Sequence, residues 1–569
     1  MALYTEKEIL NISWQAFERL ISRLLVCSGY QNVRMVGGSG DHGADLLAQK
    51  NGKRWLFQAK QWKKPIGTNV IKETLDALHD YRAEIPVIVS SRGFETEVKT
   101  QQKILFSQGI PLQLWDAAEL TKRLNKLEDK ILNKKEPRKY QESAIQSIVQ
   151  AFVNENENNA LIVLATGLGK TFVSAEAIRR INLIKQNRTL VLAHTNPLVY
   201  QLEKSFWPFL KPSETTLVWN GYEHPSPSLL ETSNFVFACA DTVQEALKRN
   251  ISYPFDIILV DECHHAGSTT YREILDFYDA GKTGAFLIGL TATPWRQDEH
   301  DIRDYFGEEK ITIDMIYGMK NGFLSNVDYR MYTDNIKWDV IKDINGKSLN
   351  PKQINRTLFI TQWDDGVIIE LQKAWKEQAN PRAIVFCGTI DHAITMRDRI
   401  NAMGFCKASA IFSQNKNQTE TQSMFERNKI LCDFGDGLIQ VICTVDVFNE
   451  GIDVPDVNII VFQRVTHSRR IFIQQLGRGL RISDDKDKVI VLDFVSDIRR
   501  FAAGLDLKDK LEDKNVKRVS LPNKVQFRKV GSEDPKTETF LRQWLEDVAD
   551  IENKSDEQQI KLKYVPDFE

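Results

Sequence analysis

Short apolar runs alternate with segments of helical periodicity through the middle of the chain. A first series lies between residues 160 and 293 and reads ALIVLA, TLVLA, NFVFA, FDIILVD and AFLIGLTAT. A second series lies between residues 382 and 494 and reads RAIVFCG, KASAIF, LIQVICT, VNIIVF and KVIVLDF. Strands of a parallel sheet give such runs, because helices bury both faces of the sheet. The pattern therefore predicts two parallel α/β lobes.

A different pattern precedes the two lobes. Apolar residues recur at helical spacing from Trp14 to Leu25, which predicts an amphipathic helix. Two apolar-rich arms then flank Asn51-Gly52 in GADLLAQKNGKRWLFQAK, and this dipeptide is the strongest two-residue signal for a β-hairpin. Further elements are predicted downstream: a helix over 69–81, the strand IPVIVSS, a polar helix to about Gln108 and the strand IPLQLW. We therefore expect a separate N-terminal α/β domain.

The stretch NKLEDKILNKKEP is rich in charge and ends at Pro137, so it predicts a linker. The expected domains are residues 1–133, 134–310, 311–500 with a connecting segment, and 501–569. The last of these is charged and is expected to be helical, because apolar residues between Phe540 and Val548 recur at amphipathic spacing. Such a helix would pack on the lobes, dock a partner or form a solvated cap.

The Asn51-Gly52 turn also fixes which residues face each other across the hairpin. On one side the register pairs apolar residues, namely Leu46 with Phe57 and Ala48 with Trp55. On the other side it brings Asp45 opposite Gln58, with Lys60 two residues further along. A carboxylate, an amide oxygen and an ammonium group thus meet on one surface, which is typical of metal-dependent phosphodiesterases. A partly buried ion pair between Asp45 and Lys60 is the alternative.

Glu18 lies at the margin of the apolar stripe of the first helix, so a second carboxylate can face the hairpin. A solvated pair with Arg19 or Arg23 is the alternative for this residue. Together, FERL with Glu18, GGSGDHGADL with Asp45, and QAK with Gln58 and Lys60 resemble the Mrr-like branch of the PD-(D/E)xK restriction endonucleases. The resemblance covers roughly residues 1 to 125.

The resemblance implies that Glu18, Asp45 and the Gln58 region hold Mg2+, which polarises the scissile phosphate and activates water. Lys60 would orient that water and stabilise the developing charge. Gln58 brings no negative charge, so metal binding would depend on Asp45 and Glu18, and the number of ions stays open. Asp41 is a rival for Asp45, but its Gly-rich surroundings favour a turn.

Basic residues with interleaved tryptophans continue along the second arm of the hairpin. They are Lys53, Arg54, Lys60, Lys63 and Lys64, with Trp55 and Trp62. No acidic residue interrupts them, so they could follow a phosphate backbone. A solvated strand end is the alternative.

The segment LIVLATGLGKT places a strand before a Gly-containing loop, and a helix follows it. This is the context of a phosphate-binding loop. Backbone amides from Thr166 to Lys170, including Gly167 and Gly169, would wrap a polyphosphate, and Lys170 would reach its β and γ groups. The Thr171 hydroxyl would ligate Mg2+.

The segment ILVDECHH puts Asp261 and Glu262 at the carboxyl end of a strand, where open α/β sheets bind ligands. Asp261 would hold Mg2+ and Glu262 would activate the hydrolytic water. His264 and His265 are expected to be packing or coupling residues rather than metal ligands. In the second lobe, QQLGRGLR supplies groups that could reach the γ-phosphate across the cleft: Gln474, Arg478 and Arg481.

Over roughly residues 137 to 500 the motifs in this order resemble superfamily 2 helicases and translocases, closest to the DECH-type engines of restriction enzymes. The resemblance implies that Gln141 in RKYQ reads adenine and that Thr291 and Thr293 in LTATP couple ATP to strand movement. It further implies roles for residues of the second lobe. Thr444 in CTVDVF would contact a backbone phosphate, while Gly451 and Asp453 in NEGIDVP would sense the nucleotide.

Composition adds limits rather than a function. The 569 residues contain 42% hydrophobic and 27% charged residues, which indicates a globular chain of three or four domains. The formal net charge is −2, so a nucleic-acid surface must be a local patch. Seven scattered cysteines favour free thiols over a disulfide framework. No signal peptide or membrane-spanning run is apparent, which favours a cytoplasmic protein without membrane partners.

The sequence thus predicts an ATP- and Mg2+-dependent DNA translocase or helicase with an endonuclease domain, acting in prokaryotic restriction or antiphage defence. Its substrate would be double-stranded or branched DNA, and a protein partner or a homo-oligomer stays open. One alternative is a DNA remodelling or repair helicase whose N-terminal domain binds DNA without cutting it. A second alternative is an RNA helicase.

Overall fold

The structure is a computed structural model that holds three α/β sheets in chain order. It describes residues 5–37, 43–154, 157–292, 302–313, 317–318, 321–332, 364–412, 422–445, 457–463 and 488–494. It also describes the backbone of four short strand segments: 348–349, 524–529, 532–533 and 560–561. Several residues singled out above lie outside these ranges: Asp41, Thr293, Gly451, Asp453, Gln474, Arg478 and Arg481.

The N-terminal domain is one mixed sheet between two layers of helices. Its helices are α1 (Glu6–Asn11), α2 (Trp14–Cys27), α3 (Asn69–Asp80), α4 (Thr96–Ser107) and α5 (Ala117–Asn125). Its strands are β1 (Gln31–Met35), β2 (Leu46–Lys50), β3 (Lys53–Lys60), β4 (Ile85–Ser90) and β5 (Gln113–Trp115). The strands follow one another in chain order across the sheet, antiparallel from β1 to β3 and parallel from β3 to β5.

Successive side chains along each strand of this sheet point to opposite faces, so they pack in two separate cores. Residues of α2 pack with one set, which includes Leu46, Phe57 and Ala59. The opposite set, which includes Leu47 and Leu56, packs with residues at the end of α3. The sheet is therefore covered on both faces, and the hairpin lies between α2 and α3.

The first lobe is a parallel sheet with helices between successive strands. Its strands are β6 (Asn159–Leu164), β7 (Thr189–Ala193), β8 (Thr216–Trp219), β9 (Phe235–Cys239), β10 (Ile257–Asp261), β11 (Phe286–Thr291) and β12 (Glu309–Ile313). Its helices are α6 (Lys139–Val153), α7 (Lys170–Ile184), α8 (Asn196–Phe206), α9 (Pro227–Thr232), α10 (Ala240–Lys248), α11 (Thr269–Phe277) and α12 (Arg303–Phe306). The strand order is β12-β6-β11-β10-β7-β9-β8. Both sheet faces are buried, as the continuous apolar runs predicted.

The second lobe contains a second sheet that is parallel apart from its last pair. Its strands are β13 (Asn326–Tyr332), β15 (Ala383–Phe386), β16 (Ala408–Ile411), β17 (Val441–Thr444), β18 (Ile459–Phe462), β19 (Lys488–Phe494), β20 (Lys524–Lys529) and β21 (Ser532–Glu533). Its helices are α13 (Asp364–Lys376), α14 (Ile390–Ala402) and α15 (Met424–Gly435). The strand order is β16-β17-β15-β18-β19-β13-β20-β21. A separate antiparallel pair joins β14 (Ser348–Leu349) to β22 (Ile560–Lys561).

The structure differs from the sequence prediction at one edge of each lobe. Strand β12 pairs with β6, so the sheet of the first lobe continues past the expected boundary at residue 310. After residue 501 the described residues form strands rather than helices, and β20 pairs with β13. The segment KVQFRK alternates apolar and polar residues, which is the period of a strand. The apolar series from Phe540 to Val548 lies outside the described residues.

The N-terminal domain contacts the first lobe through the polar side of α2. The Arg19 guanidinium is buried between two carboxylates, with Nε 2.7 Å from Glu203 and with Nη1 paired to Glu223. Arg23 donates to the backbone carbonyl groups of Lys211 and Glu214. Burial alone would lower the pKa of Arg19, but Glu203 and Glu223 outweigh burial and raise it above its usual range. The guanidinium therefore stays charged inside the interface.

A second contact joins the N-terminal domain to α15 of the second lobe. Arg54 lies 2.7 Å from Asp436, and Arg82 pairs with Asp433. Two further contacts support them: the Asn428 side chain donates to the Val36 carbonyl, and Tyr81 meets Phe425 edge to face. The N-terminal domain thus contacts both lobes.

Across the described part of the chain, none of the helices combines the length and the apolar character that crossing a bilayer requires.

We expect Arg19→Ala to destabilise the contact between the N-terminal domain and the first lobe by about 3–5 kcal/mol, because it leaves two buried carboxylates without their cation. Thermal unfolding followed by calorimetry should show a lower first transition. The exposed Arg249 provides the control, since Arg249→Ala removes a guanidinium from the surface of the first lobe. Equal transitions in both variants would contradict a structural role for the buried pair.

Candidate nuclease and ATPase sites

The β2–β3 hairpin has the predicted turn and register. Asn51 and Gly52 both adopt positive φ, at 51° and 73°, as a tight two-residue hairpin turn requires. Lys50 lies opposite Lys53, and the pairs continue outward to Leu46 opposite Phe57. The predicted register is therefore confirmed over the whole of β2.

Regular pairing changes at Asp45, one residue before β2. The Asp45 backbone N–H donates to the Phe57 carbonyl at 2.9 Å, and Asp45 Oδ2 accepts the Ala59 N–H at 2.6 Å. Asp45 thus binds the residues before and after Gln58, Phe57 and Ala59, instead of forming a regular β-pair with Gln58. The side chain is buried, with 5% of the residue exposed.

Gly37 makes room for the other oxygen of the Asp45 carboxylate. A Cβ atom at residue 37 would lie 2.9 Å from Asp45 Oδ1, which is closer than real Cβ contacts allow. The backbone N–H groups of Val36 and Gly37 both donate to the Asp45 carbonyl. A buried carboxylate in a glycine-lined position fits a hard divalent cation.

Gln58 and Lys60 follow on β3, two residues apart. Gln58 is fully buried and hydrogen-bonds to two residues of α3, Glu73 and Thr74. Lys60 ends the strand, is half-buried and lies beside Ser90 of β4. Because side chains alternate along a strand, Leu56, Gln58 and Lys60 share the face that α3 covers.

Glu18 is buried on α2, with 8% of the residue exposed. The apolar residues of α2 pack on the face opposite to α3. Arg19 and Arg23 bind groups of the first lobe. The alternative of a solvated ion pair between Glu18 and one of these arginines is therefore not observed. Asp45, Gln58 and Lys60 thus belong to the hairpin and the segment before it, whereas Glu18 comes from α2, whose apolar residues pack on the other face of the sheet.

The basic series along the hairpin separates into two groups. Arg54 pairs with Asp436, and the partly buried Trp55 stacks on Phe57 against the core, so these two residues serve the fold rather than a phosphate backbone. Lys53 is exposed at the turn. Trp62, Lys63 and Lys64 are also exposed, immediately after the end of β3. Trp62, Lys63 and Lys64 therefore remain as a short basic surface beside Lys60.

The phosphate-binding loop joins β6 to α7, and α7 begins at Lys170. Gly167 and Gly169 adopt left-handed φ values of 91° and 85°, which turn the backbone sharply. Tyr140 and Gln141 of α6 both donate to the Leu168 carbonyl, at 2.9 and 3.0 Å. The Gln141 amide therefore anchors the phosphate-binding loop to α6.

Asp261 ends β10, and Glu262 follows it with a left-handed φ of 50°. This turn carries the Glu262 carboxylate to Lys170, with 2.5 Å between Oε1 and Nζ. Asp261 Oδ1 is buried and has no hydrogen-bond partner among the described residues. This oxygen and the Thr171 hydroxyl, in the first turn of α7, are the kinds of ligand that Mg2+ prefers.

The pKa values of the two carboxyl groups of this motif are shifted in opposite directions. Burial and the charge of Glu262 raise the pKa of Asp261 to about 6. Burial also acts to raise the pKa of Glu262, but Lys170 and His264 outweigh it and hold that pKa well below its usual range. Glu262 is thus ionised as a base requires, and a bound cation would favour the ionised form of Asp261.

His264 links the nucleotide side of the lobe to the end of β11. Its Nδ1 lies 3.3 Å from Glu262 Oε2 and 3.0 Å from the Thr291 hydroxyl. The rings of His264 and His265 are in contact, and His265 also meets His194. These contacts support packing and coupling roles for both histidines.

In the second lobe, Thr444 ends β17 and is fully buried. Its hydroxyl has no hydrogen-bond partner within the described ranges. Among those same residues, no three His, Cys, Asp or Glu side chains form a metal-binding group.

Sequence reasoning missed Glu73 and Thr74, which bind Gln58. Thr74 had a detectable signal, because it is a polar residue in the buried stripe of α3 together with Val70, Ile71 and Ala77. Glu73 is exposed, and nothing in the helical pattern distinguishes it from other surface acids.

Three sequence families match successive parts of the chain. Residues 9–124 match the family Mrr_cat, described as restriction endonuclease. Residues 134–296 match ResIII, described as type III restriction enzyme, res subunit. Residues 366–483 match the helicase conserved C-terminal domain.

The chain also resembles complete curated proteins and a solved structure. It is 29% identical over 403 residues to the type I restriction enzyme EcoAI endonuclease subunit of Escherichia coli, covering 65% of this chain and 47% of that protein. It is 23% identical to the DNA 3'-5' translocase XPB2 of Sulfurisphaera tokodaii, covering 70% of this chain and 86% of that protein. The ATP-dependent Type ISP restriction-modification enzyme LlaBIII bound to DNA shares the fold, with a TM-score of 0.51 and 16% identity over 94% of this chain and 41% of that one.

The chain spans about half the length of several of the curated relatives that it matches. The order of the matched families agrees with the order of the three sheets. Successive parts of the chain thus match, in order, a restriction endonuclease domain, the res subunit of type III restriction enzymes and the helicase conserved C-terminal domain, and the chain is similar to the endonuclease subunit of a type I restriction enzyme.

Proposed function

We propose that this protein is an ATP-driven DNA translocase that carries a Mg2+-dependent endonuclease and acts in prokaryotic restriction or antiphage defence. The observation that supports it is the packing of one hairpin-bearing nuclease domain against both lobes of one ATPase, through Arg19 on one side and Arg54 on the other. Such packing lets one chain move along DNA and cut it.

In the ATPase, Lys170 leaves Glu262 to bind the β and γ phosphates, because a polyphosphate is the stronger anion. Backbone amides of Thr166, Gly167 and Gly169 surround the phosphates. Mg2+, when bound by Asp261 and Thr171, neutralises phosphate charge. Glu262, released from Lys170, accepts a proton from the attacking water.

Groups of the second lobe complete the proposed ATPase. Gln474, Arg478 and Arg481 would stabilise charge on the γ-phosphate when the lobes close, and an arginine in this role typically contributes about 10³ to 10⁵ in rate. Gly451 and Asp453 would report the nucleotide state. These residues lie outside the described part of the chain, so their roles rest on the sequence motifs.

Coupling to DNA would run from Glu262 through His264 to Thr291. Loss of the Lys170–Glu262 ion pair on ATP binding changes the charge beside His264, and the hydrogen bond between His264 and Thr291 passes that change to the end of β11. Thr293, two residues on, would share this role. Thr444 would hold a backbone phosphate of the DNA.

In the nuclease domain, Asp45, Glu18 and the Gln58 region would hold Mg2+, which supplies an activated water and polarises the scissile phosphate. Lys60 would orient the water and stabilise the charge that develops on the phosphate. The exposed Trp62, Lys63 and Lys64 would contact the DNA backbone, since they border Lys60.

Double-stranded or branched DNA is the proposed substrate, and a protein partner or second copy would select it. We place the protein in the cytoplasm. All seven cysteines are free, and several are buried, which suits a reducing compartment.

We expect Lys170→Ala to lower DNA-stimulated ATP hydrolysis by at least about 10² to 10³ fold, because the phosphates lose a charged donor. Phosphate release with DNA or RNA present measures this, and DNA should stimulate more strongly. Lys185→Ala, at the exposed end of the same helix, is the control. Retained stimulation in Lys170→Ala would contradict the assigned ATPase site, and preference for RNA would favour an RNA helicase.

Thr291→Val is expected to retain ATP hydrolysis within about tenfold but to lose translocation, since it removes the hydrogen bond to His264 and keeps the shape of the side chain. Displacement of a triplex-forming strand reports movement on duplex DNA. Ser143→Val on α6 gives a control for hydroxyl loss at an exposed site. Translocation at the wild-type rate would remove Thr291 from the coupling route.

Asp45→Asn and Lys60→Ala should each reduce Mg2+-dependent DNA cleavage by about 10² to 10³ fold while DNA-stimulated ATPase persists. Methylated, unmodified, branched and free-ended DNA, with and without ATP, should be compared. Lys103→Ala on α4, an exposed lysine, should cleave like wild type. Intact DNA in every wild-type reaction would instead favour a remodelling helicase whose N-terminal domain only binds DNA.

A further inference from the structure

The amide group of Gln58 is engaged at both ends by α3. Its Nε2 donates to Glu73 Oε2 at 3.0 Å, and its Oε1 accepts the Thr74 hydroxyl. Both Gln58 and Thr74 are fully buried. The amide oxygen that the sequence assigned to a metal ion therefore points toward a helix and already has a hydrogen-bond donor.

The Glu73 carboxylate fixes the orientation of the Gln58 amide, and the Thr74 hydroxyl then supplies the proton for the amide oxygen. Thr74 Oγ1 lies within hydrogen-bond distance of two acceptors, Gln58 Oε1 and the Val70 carbonyl at 2.7 Å. If the amide were reversed, its oxygen would face the Glu73 carboxylate, and two acceptors would be in contact. Glu73 thus requires the Gln58 NH2 group on its side, and Thr74 must donate to Gln58.

Glu73 keeps one oxygen for another partner. Its Oε2 accepts from Gln58, and the carboxylate makes no other hydrogen bond or ion pair with the described residues. The residue is exposed, although it is anchored to a buried amide. A held carboxylate with one free oxygen can bind a cation from solution with little further loss of side-chain entropy.

The backbone brings Glu73 close to the segment that carries Asp45. A Cβ atom on Gly43 would lie 2.9 Å from Glu73 Cβ, so this segment passes directly against α3. Two residues later, Asp45 binds the backbone of Phe57 and Ala59, on either side of Gln58. Asp45 and Glu73 therefore attach to three consecutive residues of β3, with Glu73 bound to Gln58 and Asp45 bound to the residues on either side of it.

Helix α3 also covers the face of the sheet on which Gln58 and Lys60 lie. Leu56, two residues before Gln58, packs with Ala77 of this helix. Glu18 belongs to α2, whose apolar residues pack on the opposite face. Of the two helical acids, Glu73 is the one that secondary structure brings to the side of Gln58 and Lys60.

We propose that Glu73 is a metal-binding carboxylate of the nuclease site and that Gln58 is the positioning residue that holds it. This inference rests on the proposed nuclease function. Gln58 binds Oε2 of Glu73, which leaves Oε1 to act together with Asp45 Oδ1 on a divalent cation. The negative charge that residue 58 lacks is thereby supplied from α3, as a hard cation requires.

Glu73→Gln tests the charge alone, since the new side chain can still accept the hydrogen bond from Gln58. Mn2+ binding to the full-length protein without nucleotide should weaken at least about tenfold, as measured by electron paramagnetic resonance. All proteins in this assay carry Asp261→Asn, which removes the proposed carboxylate ligand of the ATPase site. Asp76→Asn, an exposed acid on the same helix, should bind Mn2+ as wild type does.

Exchange of the two side chains provides a second test. The double variant Gln58→Glu with Glu73→Gln keeps an amide paired with a carboxylate and moves the charge onto β3. Mn2+ affinity and Mg2+-dependent cleavage should both recover relative to Glu73→Gln alone. A folded double variant that binds no more Mn2+ than Glu73→Gln would overturn the inference, and thermal unfolding establishes whether each variant is folded.

The nuclease proposal and this inference fail in different ways. If Asp45→Asn weakens Mn2+ binding and cleavage while Glu73→Gln binds Mn2+ like wild type, Glu73 is not a ligand and only the inference is lost. If wild-type protein cleaves no DNA and Asp45→Asn leaves Mn2+ binding unchanged, the nuclease proposal is lost as well.

Discussion

The buried ion pairs of Arg19 with Glu203 and Glu223 connect the N-terminal domain to the first lobe, and the relative placement of these two parts depends on them. They arise from one helix with several functions. The apolar stripe of α2 supports the nuclease sheet, Arg19 and Arg23 bind the first lobe, and Glu18 is adjacent to Arg19. Because removal of one partner would leave buried charge, this contact cannot open without a large cost in free energy.

The contact with the second lobe has a different character. Arg82 is 47% exposed where it pairs with Asp433, and solvent-exposed pairs typically contribute only about 0–1 kcal/mol. Arg54 and Asp436 are 20% and 25% exposed, so water also reaches this second pair. The nuclease domain is therefore attached firmly to one lobe and more weakly to the other. In a two-lobed ATPase, relative motion of the lobes would act first on the weaker contact.

Charge balance governs both sites. In the candidate ATPase site, Lys170 neutralises Glu262, while Asp261 is a partly buried acid whose pKa is raised. Phosphate and a divalent cation would satisfy both groups, since one anion replaces Glu262 on Lys170 and one cation favours the charged form of Asp261. In the nuclease domain, the neutral Gln58 holds an acid from a neighbouring helix, so charge is supplied by tertiary contact rather than by the strand itself.

The sequence by itself determined the three sheets, the register of the β2–β3 hairpin and the composition of the phosphate-binding loop. These features follow from local periodicity, from the φ angles that Asn51-Gly52 permits and from short motifs. Tertiary structure alone decided that Arg54 and Trp55 serve the fold, that Asp45 brackets Gln58, and that β12 and β20 extend the sheets of the lobes. It also decided the partner of Gln58, because Glu73 becomes distinct from other surface acids only when α3 packs on the hairpin. Contacts between residues distant in the chain depend on packing, which local pattern does not encode.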